Sequence, residues 1–171
     1  MGMSSTDDII IRRLGPDDVD AFRRIRLEAL RLNPTAFAST FEDWARFDDG
    51  EWLRRLTDNP AFAVLDGAEP VALMGYVRER SSNARHRATV VMVYVRETMR
   101  GAGFAKRLLD VLTRHARAQG IGQLELGVNS QNEPARRLYE REGYTVIGCI
   151  PAATIVDGVA MDEVLMMRRI D

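Results

Sequence analysis

Arg100-Gly101-Ala102-Gly103-Phe104-Ala105 decides the fold, because of what stands on either side of it. Before it runs Ala88-Thr89-Val90-Val91-Met92-Val93-Tyr94-Val95, short, apolar and β-branched, which reads as a buried strand. After it, Phe104, Ala105, Leu108, Leu109, Leu112 and Ala116 share one helical face, while Lys106, Arg107, Asp110, Arg114 and Arg117 fall largely elsewhere. A glycine-rich turn between a strand and a helix start gathers backbone N–H groups. The helix dipole adds about half a positive charge at the same point. The stretch therefore reads as a pyrophosphate-binding turn. It lacks the Gly-Lys-Ser/Thr ending of a nucleotide P-loop. It also follows several strands in a largely antiparallel order, which disfavours a dinucleotide fold with its glycine turn after the first strand.

Working outward, Gly120 and Gly122 end the helix, and Leu124, Leu126 and Val128 alternate with Glu125, Gly127 and Asn129 as in a strand. A short helix follows over 132–142, with Asn132 as cap, Pro134 in its first turn and Gly143 at its stop. Residues 144–150 and 161–168 read as closing strands joined by a loop containing Pro151 and Asp157-Gly158. Upstream, residues 9–13 read as a strand. A helix runs from Gly15-Pro16-Asp17-Asp18 to about Leu32, where Asn33-Pro34 stops it. A broken helical region holds Phe41 and Trp44, then Trp52, Leu53 and Leu56, with Asp48-Asp49-Gly50 between. Residues 62–65 and 71–78 form a strand pair about the turn Asp66-Gly67-Ala68-Glu69-Pro70. The order is mixed α/β, with a crossover through the helix at 104–118.

The bulk properties fit one domain over residues 1–171, with the first eight residues expected to be flexible: the chain has 171 residues and 46% hydrophobic composition. Its 24 basic and 25 acidic residues give a formal charge of −1, so no global field recruits nucleic acid or an anionic membrane. No run approaches the roughly 18 apolar residues of a membrane span, and the N-terminus lacks the basic and apolar segments of a signal peptide. The expected setting is the cytoplasm. The single cysteine, Cys149, reads as a small buried hydrophobe rather than a reactive thiol. His86 and His115 are too isolated to suggest a metal site.

With Val93-Tyr94-Val95, the glycine turn and its helix, and a second block, Asn132-Glu133-Pro134-Ala135-Arg136-Arg137-Leu138-Tyr139-Glu140-Arg141-Glu142-Gly143-Tyr144, the sequence resembles the GCN5-related N-acetyltransferase family. The element order resembles that family from Ile9 to Arg168, and the motifs cover about residues 90–145. The resemblance implies a mixed, mostly antiparallel central sheet flanked by helices and splayed between the fourth and fifth strands. It implies acetyl-CoA as co-substrate. Backbone groups of Val93 and Val95 would bind the pantetheine arm, and Arg100, Gly101, Ala102, Gly103, Phe104 and Ala105 the pyrophosphate. Asn132 would contact the arm from the other side, with Arg136 and Arg137 near the CoA phosphates. Tyr139 would face the sulfur as general acid. Read by pattern alone, Tyr139 packs with Ala135 and Leu138, and Asn132 is a helix cap.

The base is open. Many relatives place an acid on the fourth strand, and residues 88–95 contain none. Glu125 is a candidate acting through water; Glu42, Glu79, Glu97, Asp162 and Glu163 are others. For the acceptor, Phe37, Phe41 and Glu42 are candidates to shape a small cationic site, beside the simpler reading of an apolar plug. The leading expectation is direct acetyl transfer to the primary amine of a small molecule, without a metal. Two alternatives stand: acetylation of a protein or peptide amine, and a CoA-binding sensor without catalysis. Relatives are often homodimers.

Overall fold

A computed structural model describes residues 8–171. The expected flexible segment over 1–8 lies outside the described residues except for Asp8, whose carbonyl accepts a hydrogen bond from Gly67 N–H at 3.1 Å. Strand β1 spans Ile9–Arg13 and leads through a 3-10 turn at Pro16–Asp18 into helix α1, Val19–Leu32. Two short helices follow, α2 at Phe41–Ala45 and α3 at Asp49–Asp58. Each starts where its sequence supplies an acceptor for the orphan first-turn amides. Thr40 Oγ1 accepts from Asp43 N–H at 3.1 Å while the Asp43 carboxylate accepts from Thr40 N–H at 2.9 Å, and Asp48 accepts from Glu51 N–H at 2.8 Å.

Next come β2 (Ala61–Asp66), β3 (Glu69–Arg78), β4 (Arg87–Val95), α4 (Phe104–Ala118), β5 (Gln123–Asn129), α5 (Glu133–Arg141), β6 (Thr145–Val156) and β7 (Val159–Arg169). The sheet order is β1-β2-β3-β4-β5-β7-β6, antiparallel throughout except between β4 and β5. That parallel pair needs the α4 crossover. Both sheet faces are covered, so β2 is apolar on both: Phe62 and Val64 join Leu108, Leu109 and Leu112 of α4, whereas Ala61, Ala63 and Leu65 join Phe22, Ile25 and Trp52. No helix of the described residues is long and apolar enough to cross a membrane.

Two features position the site. The β4–β5 ladder holds only Arg87↔Gln123, Ala88↔Leu124 and Thr89↔Glu125, after which the strands diverge. On its other edge β4 carries a bulge: Gly75 pairs with Val91 and Leu73 with Tyr94, and Met92 takes the left-handed φ of 57°. Gly75 makes room for this, since a Cβ there would lie 2.7 Å from Met92 Cε and 2.9 Å from Pro60 O.

Two expectations need correction. Residues 150–161 are not a loop: β6 and β7 continue to Val156 and Val159, and Asp157-Gly158 alone makes the turn. Pro151 is accommodated in an irregularity between Ile150 and Thr154, where Ala152 has φ 49°. Cys149 is exposed rather than buried, because β6 is the sheet's edge strand and much of it faces solvent.

Candidate active site

The divergence of β4 and β5 opens a cavity of about 380 Å³ whose walls include Met92 and Val93 from one strand and Gly127 and Val128 from the other. Arg96 N–H donates to Val71 O at 2.9 Å, toward β3. N–H direction alternates along a strand, so the amide of Val95 faces the opposite edge, into the cleft, while Val93, inside the bulge, lines the cavity. Val95 O there accepts from Arg100 Nε at 2.9 Å, so the Arg100 side chain folds back along the cleft edge.

The turn between β4 and α4 depends on glycine. Gly101 and Gly103 have φ of 81° and 80°, and a Cβ on either would meet nothing within 4 Å. The requirement is therefore conformational, not steric. The first bond of the α4 ladder runs from Arg107 N–H to Gly103 O at 3.1 Å, which leaves the preceding amides, including those of Phe104 and Ala105, outside the i→i−4 ladder. Ala102 and both glycines are exposed, and the Phe104 side chain is buried in the core. This turn offers backbone donors at a helix N-terminus.

Asn132 lines the cavity and caps α5, its Oδ1 accepting from Ala135 N–H at 3.3 Å. Tyr139, about two helical turns further on, also lines it and is 4% exposed. Burial pushes the Tyr139 hydroxyl well above the ordinary phenol range. Its ring meets Tyr144 edge-on at 5.7 Å. Arg136 is half-buried with its Nε unpartnered among the described residues.

The acids separate. Glu125 is not brought to the cavity; it accepts from Arg87 Nε at 2.5 Å and Nη2 at 2.8 Å, and from Gln123 at 2.7 Å. Those bonds, Arg87 first, hold its pKa below the usual carboxylate range. Glu163, on β7 opposite Asn129, does line the cavity. Of the acceptor candidates, Phe37 lines the cavity whereas Phe41 and Glu42 do not; Phe41 instead lies under the Arg31 guanidinium at 4.6 Å. Two cations absent from the sequence reading stand in the wall, Arg26 and Arg55. Arg26 stands four residues after Phe22 and Arg55 three after Trp52, so each shares the inward face of its helix, a spacing that could have marked them in the sequence. Among the described residues no cluster of His, Cys, Asp and Glu is arranged to hold a metal ion.

The model of the acetyltransferase (GNAT) family matches residues 21–144. A mycothiol acetyltransferase of Propionibacterium freudenreichii subsp. shermanii is 27% identical over 77% of this chain and 41% of its own length. The chain spans about half the length of several curated relatives it matches, or less. The same fold is found in a GNAT-family acetyltransferase from Streptococcus pneumoniae, with a TM-score of 0.83 and 17% identity, covering 95% of this chain and 99% of that one. It recurs in a phosphinothricin acetyltransferase from Sinorhizobium meliloti in complex with acetyl-CoA, with a TM-score of 0.77 and 21% identity over 95% of this chain and 88% of that one. A family match over most of the chain, on a sheet that splays where a cofactor cleft is needed, leads to one assignment: this chain belongs to the acetyltransferase (GNAT) family.

Proposed function

We propose that residues 1–171 form one catalytic unit, an acetyl-CoA-dependent N-acetyltransferase that acylates the primary amine of a small molecule. One observation carries the reading: a single cleft at the β4–β5 divergence joins an open strand edge, a buried tyrosine hydroxyl and a carboxylate. The donor set fits acetyl-CoA, since the backbone of Val93 and Val95 along the open edge of β4 suits the amide-bearing pantetheine arm and the glycine turn suits a pyrophosphate. The family match and the acetyl-CoA complex of the Sinorhizobium neighbour support the same cofactor. When bound, acetyl-CoA supplies the thioester carbonyl that forms the new C–N bond as its C–S bond breaks.

The chain's own groups divide the remaining work. The amides of residues 100–105 hold the pyrophosphate, with Arg136 beside them. Asn132 orients the arm from the α5 side. Tyr139 gives its hydroxyl proton to the departing sulfur, a role that suits a phenol kept neutral by burial. Glu163 takes the proton released by the acceptor ammonium through water, a role for which the ion-paired Glu125 is poorly placed. The small-molecule preference rests on the limited cavity volume of about 380 Å³ and on relatives named for small acceptors. A homodimer is part of the proposal: edge strand β6 exposes Val146, Ile147, Ile150 and Ile155, and sedimentation velocity tests it.

The deciding experiment is thiol release from acetyl-CoA with a panel of free amines and peptides, run beside thermal shift with acetyl-CoA. Turnover with free amines is expected. Acceptance of peptides alone would replace the small-molecule reading. A thermal shift with no turnover on any amine would leave a CoA-binding sensor.

A further inference from the structure

Arg26 stands on α1 with only 4% of its surface exposed, yet it lines the cavity. Its guanidinium lies against two rings, 4.8 Å from the Phe37 centroid and 4.5 Å from that of Trp44. Both rings meet the group through its charge. They satisfy none of its N–H donors, which radiate in the guanidinium plane. Nε and Nη1 are buried without a hydrogen-bond partner among the described residues, and no carboxylate there forms an ion pair with Arg26. Burial, and after it the charge of Arg55, lowers its pKa to about 10. It therefore still carries its proton at neutral pH.

Arg55 adds a second cation to the same wall. It stacks on Trp44 at 4.7 Å and Phe47 at 4.3 Å, and its own charge is answered by Glu51 at 2.7 Å. A buried charge without a counter-ion is costly, and a like charge nearby raises the cost. Such a group fits a wall whose counter-ion arrives with the ligand. A buried guanidinium with Nε and Nη1 unpartnered has N–H donors to offer a planar or tetrahedral oxyanion, the pairing that bidentate recognition uses. Glu163 of β7 and Asn129 of β5 line the same cavity. The wall is thus positive at the α1–α3 side and negative at the β7 side.

On the reading that this cavity receives the acceptor, we propose that Arg26, backed by Arg55, binds an anionic group of that acceptor, so the substrate is an amino acid or a similarly small amine bearing a carboxylate or another oxyanion. This reverses the sign expected from Glu42: the acceptor is zwitterionic rather than a plain cation. The ammonium end meets Glu163, and the anionic end meets the guanidinium edge.

The test pairs free L-amino acids with their carboxamides, alongside simple alkylamines, in the thiol-release assay. Quenching of tryptophan fluorescence with CoA present follows binding independently of turnover, since Trp44 stacks on Arg26. The expected result is a preference for the acids of about 30-fold or more in kcat/KM, and a matching preference in binding. Arg26→Met should collapse that ratio to within about 3-fold of unity, with acetyl-CoA affinity followed separately by thermal shift. If Arg26→Met does not fold, Arg26→Lys, which keeps a charge but loses the planar fork, should cut the ratio at least about 10-fold. Equal use of acids and carboxamides, a preference for alkylamines, or a ratio unmoved by either variant overturns the inference and leaves the acetyltransferase reading intact. Absence of turnover on every amine overturns that reading instead, and the fluorescence arm still decides whether Arg26 selects an anion.

Discussion

The carboxylate of Glu163 occupies the space that a side chain on Gly127 would need: a Cβ built on Gly127 would overlap it. The two residues are diagonal neighbours on one sheet face, since Gly127 pairs with Leu165 and Glu163 with Asn129. Glycine here has no unusual φ to satisfy. Its absent side chain instead lets the acid lie against β5 and into the cavity.

Gly127→Ala should therefore separate activity from stability. The clash falls on the flexible end of Glu163, which can swing away, and alanine suits a strand better than glycine. We expect kcat to fall about 10-fold while Tm changes by less than about 2 °C. Glu163→Gln should lower kcat about 100-fold and leave acetyl-CoA binding in place. Steady-state kinetics with thermal melts check both, and unchanged kcat in the two variants would remove Glu163 as the base.

Glu125→Gln should behave in the opposite way. The Arg87–Glu125 pair links the first rung of the β4–β5 ladder to the last, beyond which the strands part, and its partners are only partly exposed. Loss of the charge is expected to cost about 0.5 to 1 kcal/mol, with kcat kept within about 2-fold. A fall in kcat at constant Tm would return Glu125 to the chemistry.

Gly103→Val addresses the turn. A β-branched residue at φ 80° is strained, by about 1 to 2 kcal/mol or more, even though nothing crowds its Cβ. Relief of that strain would re-aim the amides at the start of α4. Tm should drop by about 2 to 8 °C, and isothermal titration should show acetyl-CoA affinity lower by about 10-fold or more. Retained affinity in a folded variant would contradict the pyrophosphate role.

How legible was all this before folding? The strand, glycine turn and helix from Arg87 to Ala118 followed from local pattern, because β-branched content, αL glycines and helical periodicity are properties of neighbours in sequence. Asn132 acts as the cap its place before Pro134 announces for the same reason, whereas Asp48, read only as a break, turns out to cap α3. The two closing strands were legible but not their extension to Val156 and Val159, because Pro151 and the small residues after it imitate a loop, and an edge strand tolerates both. Charge placement was the least legible. Glu125 and Glu163 are both acids on strands beside the cleft, and only cross-strand register decides that one meets Arg87 and the other faces Gly127. Arg26 sits at helical spacing from Phe22 and Leu30, which marks it as inward-facing, but its aromatic partner Trp44 comes from α2 and is set only by the fold.

Acid should weaken the clamp beside the site. Glu28 accepts from Arg96 at 2.8 and 2.7 Å and from Tyr94 Oη at 2.9 Å, tying α1 to the end of β4. The Arg96 hydrogen bonds, opposed in part by burial, hold the Glu28 pKa below the ordinary carboxylate value. A depressed carboxylate contributes stability above its unfolded value, near pH 4.3, and loses it as pH falls through the lower folded value. Glu28→Gln should thus lower Tm by about 2 to 6 °C at pH 7, and the gap from the parent should narrow below about pH 4. A gap independent of pH would assign the effect to packing. Tyr94, pushed up to about 12 mainly by burial, stays a donor across that range.

Tyr139 permits the sharpest test of the chemistry. Burial raises its pKa and no other cause contributes, so the hydroxyl stays protonated throughout the working range and serves only as a donor. Tyr139→Phe keeps the edge-on contact with Tyr144 and removes one oxygen from the cavity wall. The fold and the acetyl-CoA thermal shift should survive. We expect kcat to fall about 10- to 100-fold by the same factor at every pH from about 6 to 9, because a group that does not titrate cannot shape the pH profile. Any basic limb in the parent enzyme must then come from another group and persist in the variant. Loss of that limb in Tyr139→Phe would mean the hydroxyl ionises in the working range, and unchanged kcat would mean the thiolate departs without its proton.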